Sequence, residues 1–293
     1  MADHPGARLM LSFSLGPLVL AMNHLLLLAA LALATLVGWI SGRRQRINPE
    51  RALFGLFLLG LVVARLAFVI GYWAQYRANP ISIIDIRDGG FSLWPGVIAV
   101  LTGALLFGWK KPTLRMPMSM GVASGLVFWG LANLLVSVFH HDARLPDLTL
   151  RNAAGEPVQL SNFRGKPLVV NLWATWCPPC RREMPVLQSA QQLNPGVEFL
   201  FVNQAETPRE VATFFASQGL HLSNVLFDGN GELAQRVGSA ALPTTLFYAP
   251  DGRLSGSHMG ELSSASLKHY LDNFNETAPP DSRLTNTPSR STQ

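Results

Sequence analysis

Four membrane-spanning helices followed by an α/β domain built on one sheet is the architecture this 293-residue chain predicts, and three observations lead to it. Up to about residue 142 it carries apolar runs long enough to cross a bilayer, punctuated by basic clusters. Beyond that point, short apolar runs alternate with amphipathic stretches, as strands and helices do when they take turns. The only two cysteines, Cys177 and Cys180, stand two residues apart where a strand pattern gives way to a helix pattern.

Composition narrows the class. The chain is 48% hydrophobic and 14% charged, with a formal charge of +5. Such a balance is too apolar for a soluble protein of this length. A basic excess could indicate nucleic-acid binding, but it is unevenly placed. Residues 1–142 hold 11 Lys and Arg against 5 Asp and Glu, whereas residues 143–274 hold 10 against 11. The excess therefore sits in the membrane half, where positive-inside bias accounts for it, and nucleic acid is not expected as a partner.

The first span is expected over Leu18–Ile40, with Met10–Pro17 along the interface. Its charges, Arg43, Arg44 and Arg46, follow the apolar core, which argues against a cleaved signal peptide. Further spans are expected over Ala52–Tyr72, Leu93–Trp109 and Met118–Phe139. The clusters Arg43–Arg51 and Lys110–Arg115 then share one side, the cytoplasmic one, and both termini lie outside. Arg65 lies within a span, which makes it a functional candidate. It could equally be a packing arginine paired with Asp85, Asp88 or lipid phosphate.

After a short juncture (Ala143–Pro146), Asp147–Leu150 and Glu156–Leu160 read as a hairpin. Leu168–Leu172 is a buried strand feeding a helix over Pro178–Leu193. Val197–Asn203 is the next strand, and Thr207-Pro208 opens a helix to Gln218. Val225–Phe227 reads as a short edge strand and Gly231–Val237 as a helical turn. Thr244–Tyr248 and Leu254–Gly260 pair through Asp251-Gly252. Ser263–Phe274 is the closing helix, and the Pro-, Ser- and Thr-rich residues 275–293 are expected to be a disordered tail.

A Cys-x-x-Cys at a strand-to-helix junction suits disulfide exchange. Cys177 falls at the helix start, where the dipole and free amides favour a thiolate, and is expected to be the exposed nucleophile. Cys180, one turn on, is expected to be the buried resolving thiol. Pro178 and Pro179 carry no N–H, so the Cys180 amide is left as the thiolate's main donor; this leans toward a reductase rather than a strong oxidase. Half a zinc site is the competing reading, but no second Cys pair or nearby His pair completes four ligands. His140, His141, His258 and Met259 could serve a copper-handling or metallochaperone module, though two isolated doublets are more often surface residues. No metal site and no cofactor are expected.

The run Asn171 to Pro185, through Trp173-Ala174-Thr175-Trp176-Cys177-Pro178-Pro179-Cys180, resembles the signature of the TlpA/ResA group of membrane-tethered, thioredoxin-like disulfide reductases. The resemblance covers about residues 146–274. Ala241-Leu242-Pro243-Thr244-Thr245 resembles the family's cis-proline loop. It implies a thioredoxin-like fold, a cis Pro243 beside the disulfide, and a client groove formed by Trp176, Pro178, Pro179, Leu242, Pro243 and Thr244. It also implies Glu183 as manager of the resolving thiol's proton, where thioredoxin uses a buried acid at the position of Asn171. Without the resemblance, Glu183 is a helix-start carboxylate favoured by the dipole. Residues 14–135, through Val63–Val69, Asn79-Pro80 and Asp88-Gly89-Gly90-Phe91-Ser92, are similar to prolipoprotein diacylglyceryl transferase. That likeness fails at the chemistry: Trp94-Pro95-Gly96 stands in place of His-Gly-Gly, and Gly130 where an arginine belongs. A degenerate scaffold is expected.

The expectation is a bacterial inner-membrane protein with a periplasmic thiol-disulfide oxidoreductase domain that reduces periplasmic clients; an oxidase or isomerase is the alternative. Residues 1–142 contain no cysteine, so no dithiol relay within this chain crosses the membrane. A separate donor is needed, and a DsbD-like transmembrane reductase is expected.

Overall fold

The computed structural model describes residues 12–15, 18–43, 47–77, 80–141 and 143–277. β1 (Ser12–Leu15) and β2 (Leu18–Ala21) pair as an antiparallel hairpin ahead of α1 (Met22–Arg43). The expected first span is corrected here: its first four residues are strand, and the helix starts at Met22. Of the stretch Met10–Pro17, expected along the interface, Ser12–Leu15 is strand and the remaining residues lie outside the described residues. Then follow α2 (Glu50–Gly71), the short α3 (Trp73–Tyr76), α4 (Leu93–Lys110) and α5 (Arg115–His141). The four long helices are each long and apolar enough to cross a membrane.

They pack through small residues, as helices in lipid do when dispersion rather than water drives contact. A Cβ on Gly121 of α5 would lie 2.7 Å from the Ala34 carbonyl oxygen of α1, and one on Gly125 would lie 3.0 Å from the Ala34 Cβ. Gly60 of α2 and Gly96 of α4 are as close, a Gly96 Cβ reaching 3.1 Å from the Gly60 oxygen.

Arg65 is a packing residue. Its guanidinium donates to the Asp88 carboxylate (Nη1 to Oδ1, 2.8 Å) and to the carbonyls of Gly90 (2.9 Å), Ser82 (3.1 Å), Asp85 (2.7 Å) and Ile83 (3.1 Å). The Asp85 carboxylate is turned outward to Arg87. Tyr76 donates its hydroxyl to the second Asp88 oxygen at 2.8 Å. Arg65 thus ties the C-terminal part of α2 to the loop before α4.

The second half is one mixed seven-stranded sheet. Its elements are β3 (Thr149–Asn152), β4 (Pro157–Gln159), β5 (Leu168–Trp173), α6 (Pro178–Leu193), β6 (Glu198–Gln204), α7 (Pro208–Gln218), β7 (Val225–Asp228), α8 (Glu232–Arg236), β8 (Thr244–Tyr248), β9 (Leu254–Met259) and α9 (Ser264–Thr277). The strand order is β4-β3-β7-β6-β5-β8-β9. β7 is therefore not an edge strand: the hairpin β3–β4 adds beyond it, Arg151 facing Phe227. β5 is buried at every position because both faces are covered. Val169 and Trp173 join the core under α6, α7 and α9, while Leu168, Val170 and Leu172 face Leu160 and Leu233 in the other core. α9 continues to Thr277, past the expected start of the tail; residues 278–293 lie outside the described residues, as do the side chains of His140 and His141.

The two halves touch. Leu145 donates its amide to the Gly252 carbonyl (2.8 Å), and Leu254 donates to that of Ala143 (2.9 Å), so the juncture is a paired edge rather than a free linker. Ser263 donates its hydroxyl to Asp88 Oδ2 (3.0 Å) and Ser266 to the Asp88 carbonyl (2.7 Å). Phe68, Val69, Tyr76 and Ala265 form one buried cluster.

Removing Arg65 leaves Asp88 buried and unpaired. Arg65→Ala should destabilise the protein by roughly 3–5 kcal/mol, and Arg65→Met with Asp88→Asn by less. Thermal unfolding in detergent checks this; an unshifted midpoint for Arg65→Ala would contradict the clasp.

Candidate redox site

β5 ends at Trp173, and the chain turns through Ala174–Trp176 into α6. Cys177 is the N-cap of α6 with extended backbone, and Pro178 and Pro179 occupy its first turn. Proline is well suited there, since an N–H would find no partner within the helix. Cys177 and Cys180 are joined as a disulfide. The Cys177 sulfur accepts the Cys180 amide at 3.4 Å.

Cys180 is buried, as expected of a resolving thiol, but so is Cys177, at 3% exposure. The expectation of an exposed nucleophile is corrected for this oxidised state: the bonded sulfurs join the apolar cluster with Met184 and Leu187. What reaches solvent is Trp176, 66% exposed, together with Pro178. Trp173, by contrast, is core, stacked on Phe215 at 5.4 Å.

β8 runs antiparallel to β5 with Leu172 opposite Thr244, so Pro243 arrives at the strand end from which the cysteine turn departs. The Leu242–Pro243 peptide is cis. Leu242 is half-buried and Pro243 buried. Thr244 points inward: its hydroxyl meets Ser239 (2.7 Å) and the Ala241 carbonyl (2.8 Å), so it shapes the loop from within.

Glu183 lies three residues beyond Cys180 on α6, hence on the same face, and has no solvent exposure. Asn171 of β5 donates to its Oε1 (2.8 Å) and the Leu262 amide to its Oε2 (2.9 Å). Burial pushes its pKa up to about 8; the Leu262 and Asn171 donors pull it partly back, and the charge of Glu261 adds to the rise. A carboxyl so placed, one helical turn beyond the resolving cysteine, can hold or release a proton near neutrality.

Two features escaped sequence reasoning. Glu206 accepts the Thr175 amide (2.7 Å), the Thr175 hydroxyl and the Asn203 side-chain amide (2.7 Å), fixing the turn ahead of Cys177. Its signal was an acid just past the end of a strand adjacent to β5. The crossing Gly260–Ser263, which supplies the Leu262 amide, left no signal beyond its glycine.

A strand, a Cys-x-x-Cys turn and helix, and a cis-proline loop on a central sheet define a thioredoxin-like thiol-disulfide exchange domain. Residues 141–271 match the Redoxin family, and residues 10–136 match prolipoprotein diacylglyceryl transferase. Thiol-disulfide oxidoreductase ResA of Oceanobacillus iheyensis is 36% identical over 140 residues, 46% of this chain and 71% of that protein. ResA of Geobacillus thermodenitrificans is 31% identical over 131 residues, 44% of this chain and 75% of that one. A thioredoxin family protein from Chlorobium tepidum of known structure is 26% identical with a TM-score of 0.40, covering 45% of this chain and 94% of its own. Through its C-terminal half the chain belongs to the ResA family of thiol-disulfide oxidoreductases.

The native Glu183 carboxyl keeps its proton to about pH 8, whereas an unfolded glutamate loses it near ~4.3. The native state thus binds more protons between these values, and stability falls as pH rises through the window. Glu183→Gln should abolish that slope in thermal unfolding between pH 5 and 8. It should also slow disulfide reduction by about 100-fold, the scale of general-base assistance, and remove the inflection near pH 8. A variant matching wild type in both assays would reduce Glu183 to a packing residue.

Proposed function

We propose that this chain is an inner-membrane reductase of protein disulfides in the periplasm. One observation carries the reading: the Cys177–Cys180 pair at the α6 start with Glu183 buried one turn beyond. In the reduced form the Cys177 thiolate attacks one sulfur of a client disulfide. A mixed disulfide forms and the client's other sulfur leaves as thiolate. Glu183 takes the Cys180 proton, and the Cys180 thiolate then attacks the Cys177 sulfur. That closes the disulfide seen here and releases the client's second thiol. Two electrons pass to the client, and the chain ends oxidised.

The donors around Cys177 support the reductive direction. With prolines at the next two positions, the Cys180 amide and the helix dipole carry the stabilisation of the thiolate. So few donors to the thiolate suit a reductase rather than a strong oxidase. Trp176, Pro178 and Pro179 on one side and Leu242 and Pro243 on the other would hold an extended client, with Thr244 supporting the loop.

Residues 1–142 would be the membrane domain, 143–274 the redox domain and 275–293 a tail. Gly42 at the α1 end lies against Pro117 of α5, and Arg115 donates to Gly108 of α4, so Arg43, next to Gly42, and Arg115 fall at one end of the bundle. The redox half contacts α2 at the other end, through Phe68 and Tyr72, which supports a periplasmic placement by the positive-inside rule. The absence of cysteine from residues 1–142 calls for a separate electron donor of the DsbD-like class. Saturation of Arg65 and the residues Trp94 and Gly130 support a membrane half that transfers no lipid. Copper handling finds little support, since His258 is buried with its Nε2 at the Glu261 carbonyl, 3.3 Å away.

Cys180→Ala should accumulate mixed disulfides with clients and Cys177→Ala none, read on non-reducing gels. Equal trapping by both would reverse or dissolve the assignment of roles. A reporter fused after Phe274 should be active only as a periplasmic enzyme; cytoplasmic activity would overturn the topology.

A further inference from the structure

The crossing from β9 to α9 is four residues long, and each of them is held from a different direction. Gly260 donates its amide to the Pro243 carbonyl at 2.9 Å. The Glu261 carboxylate accepts from Arg182 at 2.7–2.8 Å. Leu262 donates to Glu183 at 2.9 Å, and Ser263 donates to Asp88 at 3.0 Å. Three of these contacts face the redox site, and the fourth belongs to the membrane half. Asp88 grips the far side as well, accepting the Ser266 hydroxyl on its carbonyl. It is itself immobile, 6% exposed and bound by Arg65, Tyr76 and the Gly90 amide. The same loop lies close against β9: a Cβ on Gly89 would come within 3.2 Å of the His258 ring.

We infer that Asp88, a residue of the membrane half, is a positioning residue for the redox site. Through Ser263 and Ser266 it holds the Gly260–Ser263 crossing so that the Leu262 amide stays on the Glu183 carboxylate. The inference rests on the proposed role of Glu183 in handling the Cys180 proton. A buried carboxylate with two donors is sensitive to the loss of either, and the other donor, Asn171, is fixed in β5. The charge that acts on Glu183 is that of Glu261 in the crossing; Cys177, Cys180 and Arg182 stand at the start of the same helix, His258 on β9, and Asp88 beyond the crossing. Burial holds His258 toward its neutral form. If the crossing slackens, Glu183 loses a donor that favours its charged form, and its proton comes off at higher pH. The membrane half would then set the pH range of the exchange reaction as well as anchoring it.

The test uses the full chain in lipid nanodiscs, pre-reduced, with oxidation by a peptide disulfide followed through tryptophan fluorescence from pH 5 to 9. Ser263→Ala with Ser266→Ala leaves Arg65, Asp88 and Tyr76 untouched. Its pH-rate profile should move about one unit alkaline, the lower end of what one hydrogen bond to a charged group is worth. Ser263→Thr, which keeps the hydroxyl, should retain the wild-type profile. A double variant that superimposes on wild type while Glu183→Gln alters the profile would overturn the inference and leave the Glu183 reading standing. If Glu183→Gln also superimposes on wild type, the Glu183 reading fails and the inference falls with it.

Discussion

Glu183 is held out of water between the sheet and its own helix, and an ionisable group in that position must either keep its proton or be given donors. Two donors are given. Asn171 comes from β5, which is buried at every position, so an amide there has no use other than to bond inward. Leu262 comes from a crossing between β9 and α9 that must close over the same carboxyl. The arrangement leaves the group raised yet able to ionise near neutrality. Such a group can manage a thiol proton, and it constrains the elements around it: α6 must start at Cys177, and the crossing must be held in place.

The membrane half supplies part of that hold. Arg65, toward the C-terminal end of α2, is saturated by Asp88 and four carbonyls, and an arginine so occupied has no donors left for a lipid phosphate. The transferase-like bundle is in this respect a frame. Its small-residue contacts pair α1 with α5 and α2 with α4, and its loop before α4 carries Asp88 to the redox half. Family likeness on both sides of residue 140 thus describes two scaffolds, and the Asp88–Ser263 contact describes what this chain does by joining them.

Much of this was legible in the sequence. Pro178–Leu193, Pro208–Gln218 and Thr244–Tyr248 have the bounds expected of them, because prolines punctuate their starts and apolar periodicity fills them. The central placement of β7 was not legible, since strand order depends on where the β3–β4 hairpin adds, and no local pattern encodes that. The burial of Cys177 was hidden for a related reason: exposure is set by how the disulfide tucks into the cluster with Met184 and Leu187. Glu206 and Leu262 act through contacts to residues more than thirty and nearly eighty positions away, and in Leu262 the acting group is a backbone amide, invisible to side-chain reasoning.

In the proposed reaction electrons flow from Cys177 and Cys180 to clients. The most direct measurement is the redox state of this pair in growing cells, by acid quenching and alkylation with a mass-shifting thiol reagent. A reductase kept charged by a separate donor should be found mainly as the dithiol, and should shift to the disulfide when that donor is removed. A pair found oxidised at steady state, and unmoved by loss of the donor, would contradict the reductase and point to an oxidase.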